Sequence, residues 1–230
     1  FNAAAAKARC ILFAIKNALC YNLVMIQPRT DTVSITEGPI WKGLLAFFFP
    51  ILLGTFFQQL YNTVDAVVVG NFIGKEALAA AGGGTAIYIN LLVGFFTGLS
   101  AGSTIIISQF FGAGRKRELA AAVRTAIWIS VVLGIFMTAA GLILSRPALL
   151  VIETPQPVFD DSLLYLRIYF IGILPMFIYN MGAGVLRAAG DSKSPFTVLV
   201  AGCFINIVLD LLFVPVLKLG IAGAAWATVI

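Results

Sequence analysis

Long apolar runs separated by short polar segments make up the chain from residue 44 onward. Five of these runs have at least the ~20 residues that an α-helix needs to cross a bilayer. They cover residues 44–69, 86–111, 119–144, 163–186 and 195–217, and a sixth occupies residues 220–230. The pattern predicts an all-α, polytopic membrane bundle with five complete spans and an incomplete sixth, so we expect the natural chain to continue.

Two lone carboxylates, Asp65 and Asp210, interrupt the first and fifth runs. An acid at the centre of a membrane helix costs about 3 kcal/mol on insertion scales, and it persists mainly where it faces a bundle interior or a wet cavity. Each has a polar neighbour on its own helical face, because Tyr61 and Asn206 lie four residues earlier. Gln58 lies one turn below Tyr61. The two acids are therefore the first functional-site hypothesis.

Their depths are similar. The first and fifth spans run in the same direction, and Asp65 and Asp210 lie about 6 and 10 Å from the same predicted boundary, at ~1.5 Å per residue. The fourth span runs the opposite way and contributes Asn180, with Tyr165 near its outer end. We expect one cavity to hold both acids. Structural roles stay open, since membrane asparagines often bond neighbouring helices and tyrosines often mark the interface.

The composition excludes most other classes of site. The 230 residues are 60% hydrophobic and 11% charged, against about 25% charged in soluble domains, and the mean hydropathy is +1.01. Histidine is absent, and Cys10, Cys20 and Cys203 lack metal-ligand spacing, which disfavours zinc sites, histidine-based triads and disulfides. Without a nucleophile–base pair or phosphate loop, an enzyme or a bound cofactor is not expected. Any proton carrier must be a carboxylate.

The net charge of +5 reflects topology more than nucleic-acid binding. Of the fifteen basic residues, eleven fall on one side of the predicted spans, and the positive-inside rule makes that side cytoplasmic. We expect a multi-pass plasma-membrane protein, of bacterial type, with a cytoplasmic N-terminus. The eleven are Lys7, Arg9, Lys16, Arg29, Lys42, Arg115, Lys116, Arg117, Arg124, Arg187 and Lys193.

Residues 1–36 do not fit the pattern of spans. Lys7, Arg9 and Lys16 interrupt their apolar stretch, and the chain starts at Phe1. A poor signal peptide, an interfacial amphipathic helix and a misplaced reading-frame start remain open. We interpret the segment as a leader outside the functional unit, which occupies residues 37–230.

Glycines and prolines predict how the spans pack and bend. Gly94, Gly98 and Gly102 repeat every four residues and predict a packing seam on one face of the second span. Pro50, Pro175 and Pro215 fall inside spans, where each removes a backbone hydrogen bond and favours a kink.

At these polar residues the chain resembles the multidrug and toxic compound extrusion (MATE) family of cation-coupled antiporters. The resemblance covers about residues 38–230. It is carried by Pro50, the Gln-Gln-Leu-Tyr-Asn-Thr-Val-Asp motif at 58–65, Val69-Gly70, residues 77–80, Gly190, Pro195 and residues 206–210.

The resemblance implies one lobe of a twelve-helix, two-lobe transporter that exports organic cations or amphipathic drugs in exchange for H⁺ or Na⁺. It further implies a cation-coupling site, able to hold Na⁺, with Tyr61, Tyr165 and Gln58 beside it and Pro50 as the hinge of the first span. The partners would be drug-like cations, the bilayer and the missing C-terminal lobe. The implied coupling residues are Asp65, Asn180, Asn206 and Asp210.

Two alternatives remain at this point. A flippase of lipids or lipid-linked oligosaccharides would share the architecture, but it would favour arginines in its cavity, and no mid-span arginine is evident. An inactive fragment or scaffold is the other. The choice between H⁺ and Na⁺ stays open, because carboxylate and amide oxygens suit either ion.

Overall fold

Helices make up nearly all of residues 40–230, the part of the chain that the computed structural model describes. The proposed leader at 1–36 lies outside these residues. The helices are α1 (Ile40–Phe72), α2 (Lys75–Gly82), α3 (Gly84–Gly112), α4 (Lys116–Val151), α5 (Gln156–Ala188), α6 (Lys193–Leu211), a π-helical turn (Leu212–Val216) and α7 (Gly220–Val229). Within residues 40–230, five stretches are long and apolar enough to cross a membrane. The predicted all-α membrane fold is confirmed.

The helices extend beyond the predicted spans at both ends. The first continues to Phe72, three residues past the predicted end, and α5 begins at Gln156, seven residues before its predicted start. Hydropathy detects only the part of a helix that lies in hydrocarbon, whereas backbone hydrogen bonding continues into the polar flanks. These extensions change the depth at which the polar residues lie.

A short helix, α2, precedes the second predicted span, and Gly83 separates it from α3. The Gly83 N–H donates to the Ala79 carbonyl at 2.9 Å, and a Cβ at Gly83 would lie 2.5 Å from that oxygen. A larger residue would therefore displace the chain at the break. The Ala80 carbonyl accepts hydrogen bonds from the hydroxyls of Thr85 and Ser162, which fastens the break to α5.

The centre of the bundle is α5, which packs against α4, α3, α7 and α2, while α1 pairs chiefly with α6. Close approach depends on glycines at these contacts. A Cβ at Gly141 would lie 1.8 Å from the Phe170 ring, and one at Gly172 would lie 2.7 Å from a Val229 methyl. These two positions set the spacing of α5 from α4 and from α7.

The prediction of a packing seam at Gly94, Gly98 and Gly102 is wrong for the part of the chain that the structure describes. No atom lies within 4 Å of a Cβ placed at any of the three. Small-residue spacing allows another backbone to approach closely but supplies no partner. The close contacts occur instead where α5 meets its neighbours.

Candidate functional site

Helices α1 and α6 run side by side in the same direction, and their contacts fix the relative height of the two acids. The Cys203 thiol donates to the Phe57 carbonyl at 3.7 Å, and the Phe57 and Phe196 rings meet with centroids 6.1 Å apart. Asp65 lies eight residues after Phe57 on α1, and Asp210 lies seven residues after Cys203 on α6. These separations correspond to rises of about 12 and 11 Å above the Cys203–Phe57 contact. The acids therefore lie at one level.

Both acids are also at the same distance from the end of their span. Asp65 lies seven residues before the end of α1, and Asp210 lies six before the end of the π-helical turn. We call this end, where α1 and α4 finish and α5 begins, the distal end of the bundle. The longer α1 brings Asp65 to about the depth of Asp210, about 10 Å from the helix end.

A π-helical turn follows Asp210 directly and has an identifiable cause. Pro215 has no N–H to donate to the Leu211 carbonyl, so the regular hydrogen-bond ladder cannot continue through it. The Leu217 N–H instead reaches the Leu212 carbonyl, five residues back, at 2.9 Å. Such turns are frequent beside functional sites. Pro215 therefore widens the helix within two turns of the acid.

The acids lie beside a buried core cluster that joins α1, α2, α5, the π-helical turn and α7. Asp210 is 0% exposed and Tyr165 is 6% exposed, and Val68, Tyr165 and Val214 belong to one core cluster. The Asp65 carboxylate acts electrostatically on both Asp210 and Tyr165. We call Asp65, Tyr165, Asn206 and Asp210 the acid cluster. It is assembled from α1, α5 and α6.

The polar atoms of the acid cluster are largely without partners. Asp65 Oδ1, both carboxylate oxygens of Asp210, and both polar side-chain atoms of Asn206 are buried and form no hydrogen bond to the described residues. Each unsatisfied buried polar group costs about 1–3 kcal/mol. Among these residues, no lysine or arginine contributes to the electrostatics of either acid. The arrangement has free oxygen ligands for a cation and free acceptors for a proton.

A second polar level lies one turn closer to the start of α1. Tyr61 is half-buried and lies near Tyr169 of α5 and near Asp65. Gln58 is exposed and lies beside Tyr61. Tyr61 therefore borders the acid cluster, of which Tyr165 is a member, while Gln58 lies two turns before Asp65 on α1.

Asn180 is not brought to the acid cluster. It lies fifteen residues after Tyr165 on α5, about 22 Å along the helix. Its neighbour Tyr179 donates a hydrogen bond to the carbonyl of Pro195, near the start of α6 and far from Asp210. The Asn180 side-chain N–H donates to the Met176 carbonyl of its own helix at 2.9 Å, and the Asn180 backbone carbonyl accepts from the Ser100 hydroxyl at 2.9 Å. The Ser100 bond joins α5 to α3.

Pro50 lies inside α1, fifteen residues before Asp65. A proline there leaves the Ala46 carbonyl without its helical donor, which weakens the helix at that turn. The position is compatible with the predicted hinge, because movement of the chain after Pro50 would carry Tyr61 and Asp65 together.

Sequence reasoning missed two polar residues at the site. Tyr169, on the second polar level, was hidden because tyrosines near span ends resemble interface markers. Thr228 of α7 interacts with the Tyr165 side chain and donates to the Ala224 carbonyl at 2.9 Å. Thr228 is the hydroxyl residue of an otherwise apolar α7. A polar residue in an apolar helix was the sequence feature that could have indicated Thr228 as a site residue.

Comparison with known proteins bears on this arrangement. The MatE family model matches residues 50–212. The chain is 36% identical over 195 residues to the probable multidrug resistance protein YpnP of Bacillus subtilis (strain 168), covering 85% of this chain and 44% of that protein. It is 26% identical over 196 residues to the probable multidrug resistance protein NorM of Geobacillus kaustophilus (strain HTA426), covering 83% and 42%.

Among solved structures, the chain superposes on the outward-facing conformation of a multidrug resistance MATE family transporter with a TM-score of 0.80 and 28% identity. That match covers 87% of this chain and 44% of the other. The chain thus spans less than half the length of the relatives that it matches.

Proposed function

This chain belongs to the MATE family of membrane transporters, and from that premise we propose that it takes part in the export of organic cations by antiport with H⁺ or Na⁺. The single observation that carries the proposal is the acid cluster. It places two carboxylates and one amide at about the same depth of a membrane bundle with five of their polar atoms unsatisfied.

The unsatisfied atoms favour a cation or a proton as the ligand. Two carboxylates that interact electrostatically gain from any positive charge placed between them, and amide and carboxylate oxygens are hard ligands that suit Na⁺. When the coupling ion is bound, the cluster loses its attraction for an organic cation; when the ion leaves, the attraction returns. Competition for one negative site would couple the two fluxes.

The proposed coupling site consists of Asp65, Asn206 and Asp210, with Tyr165 and Tyr61 beside it and Thr228 added from α7. Asn180, which the resemblance implied, stays outside this proposal. It lies about 22 Å from Tyr165 along α5, and its side-chain amide donates a hydrogen bond to Met176 of the same helix. Its implied role in coupling stays open, and a variant can test it.

The relatives that the chain matches are more than twice as long as the matched region. We propose that the described helices form the N-terminal lobe of such a transporter, and that a second lobe supplies the other wall of the substrate path. We also propose a cytoplasmic N-terminus, because basic residues concentrate at the starts of α1 and α4 and the end of α5.

The test uses the full-length protein in proteoliposomes. Efflux of a fluorescent organic cation would be measured under an imposed proton or sodium gradient for wild type, Asp65→Asn and Asp210→Asn. Asp161→Asn is the matched control, because Asp161 is a half-buried acid near the start of α5 and outside the acid cluster.

We expect gradient-driven efflux in the wild type and the control, with a loss of about tenfold or more in both cluster variants, equivalent to ~1.4 kcal/mol or more of coupling. The gradient that drives efflux identifies the ion. Unchanged efflux in folded, inserted Asp65→Asn and Asp210→Asn would return both acids to a structural role.

A further inference from the structure

Two arginines line one cavity at the distal end, between α4 and α5. The cavity has a volume of about 430 Å³, and its polar lining is Arg146, Arg167, Asp160 and Gln156. Its apolar lining is Leu150, Phe159 and Leu163. Small-molecule sites begin at about 300 Å³, so the space is large enough for a head group of a few polar atoms.

This cavity lies on the opposite face of α5 from the acid cluster. Arg167 follows Tyr165 by two residues, which is a rotation of about 200° around the helix. Tyr165 is 6% exposed, whereas Arg146 and Arg167 are both exposed. The arginine cavity therefore opens on the outer surface of the α4–α5 pair, and it does not supply the arginine-lined transport path that a flippase would need.

Both arginines lie in the distal half of their helices, about 8 Å from the helix end for Arg146 and about 16 Å for Arg167. Arg146 comes five residues before the end of α4, directly after the apolar run of that helix. Arg167 lies eleven residues after the start of α5, although only four residues after the start of the predicted span at residue 163. Side chains of a helix lean toward its N-terminus, here the distal end, so the Arg167 guanidinium can snorkel toward Arg146.

The charge of the cavity lining favours binding of an anion. Arg167 and Asp160 are seven residues apart, two turns, and share a face of α5. The lining holds two guanidiniums and one carboxylate, so its side chains carry a net charge of about +1. Guanidinium forks match phosphate oxygens in bidentate geometry and bind phosphate more readily than a point charge does.

The surface around the cavity is apolar, with Ile143 75% exposed, Val151 81% exposed and Leu164 45% exposed. A soluble anion would gain nothing from such a surface, whereas the acyl chains of a lipid would cover it. We propose that Arg146 and Arg167 bind the phosphate of an anionic phospholipid, whose acyl chains lie along α4 and α5.

The test is lipid binding to the purified full-length protein, measured by native mass spectrometry after delipidation. Phosphatidylglycerol is compared with phosphatidylethanolamine, in wild type, Arg146→Gln, Arg167→Gln and the double variant. Arg124→Gln is the matched control, since Arg124 is an exposed arginine at the other end of α4.

We expect the wild type and the control to prefer phosphatidylglycerol, and each cavity variant to bind it roughly fivefold more weakly, as the loss of one interfacial arginine predicts. Asp160→Asn should strengthen binding, because it removes the competing carboxylate, and it decides the question if the arginine variants do not fold.

Several results would overturn the proposal: equal affinity for the two lipids in the wild type, an undiminished preference in the folded double variant, or an equal loss in Arg124→Gln. Competition by inorganic phosphate at the concentration that phosphatidylglycerol requires would identify a soluble anion as the ligand, and it would equally overturn the lipid assignment. Weaker binding in Asp160→Asn would contradict the charge argument.

Discussion

The two faces of α5 hold ionisable groups in opposite ways. On one face Tyr165 lies beside Asp65 and Asp210, where both oxygens of the buried Asp210 and Oδ1 of the half-buried Asp65 lack hydrogen-bond partners among the described residues. On the other face Arg167 is exposed in a cavity that already contains a carboxylate, Asp160. Buried charges without partners are costly and are retained where a ligand completes them. The comparison separates a site built to exchange its ligand from one built to hold a lipid at the surface.

The largest difference between the faces should come from removing a carboxylate. Asp210→Asn should abolish gradient-driven efflux and also raise the unfolding temperature of the full-length protein, because a buried, unpaired acid is removed. The expected rise is about 2–4 °C for each kcal/mol of penalty relieved. Arg167→Gln should leave efflux intact and lower the unfolding temperature only when phosphatidylglycerol is present. A less stable, fully active Asp210→Asn protein would contradict this contrast.

Glycine substitutions can disturb the packing of α5 against one neighbouring helix at a time. Gly141→Ala forces the Phe170 ring to move and should loosen the α4–α5 contact, whereas Gly172→Ala pushes against Val229 and should displace α7 with Thr228. Overpacking of this kind costs about 1–3 kcal/mol. We expect both variants to unfold at lower temperature, with the larger loss of coupled efflux in Gly172→Ala.

Gly98→Ala is the matched control for both, since no atom lies within 4 Å of its Cβ. Thermal unfolding and efflux measured on the same preparations make the comparison. Equal efflux in the Gly141→Ala and Gly172→Ala proteins would remove the distinction between the faces.

The two asparagines sharpen the boundary of the acid cluster. Asn206→Ala removes a buried amide one turn from Asp210 and should reduce coupled efflux about fivefold to tenfold, the usual range of a coupling energy. Asn180→Ala should change it less than about twofold, because its amide bonds Met176 within its own helix. The apparent affinity for the coupling ion, measured from the ion dependence of efflux, distinguishes the two. A larger effect at Asn180 would extend the site toward the other end of α5.

The smallest expected effect is that of the Tyr165 hydroxyl. Tyr165→Phe keeps the ring in the core cluster and removes one polar group that interacts with Thr228, so a reduction of about threefold in coupled efflux is expected for one hydrogen bond. Tyr88→Phe on α3 is the control. No change in the ion dependence of Tyr165→Phe would place the hydroxyl in a packing role.

The sequence predicted the spans and the acids because both depend on local chemistry. An acid such as Asp210 within an apolar run can be recognised wherever it falls in that run. A run of twenty apolar residues can likewise be recognised without knowing which helix it packs against. Pro215 predicted a kink in its span, and the structure has a π-helical turn there. The end of α1 at Phe72 could not be predicted in the same way, since hydrogen bonds that continue into polar flanks leave no hydropathy signal.

Contacts between distant residues were the harder part. Gly98 has the spacing of a packing residue without a neighbour, while Gly141 has no repeat and contacts Phe170. Asn180 and Asn206 look alike in sequence, and only the antiparallel path of α5 separates their depths. The partnership of Arg146 with Arg167 depends on how α4 meets α5, which no local pattern encodes.

Ion release on substrate binding tests the central claim most directly. The purified full-length protein would be loaded with the coupling ion, and the organic cation added while released H⁺ is followed with a pH dye and released Na⁺ with a sodium probe. We predict release by the wild type and by Arg146→Gln/Arg167→Gln, and none by Asp65→Asn/Asp210→Asn. Undiminished release by the folded Asp65→Asn/Asp210→Asn protein would contradict the claim that the acid cluster carries the exchanged ion.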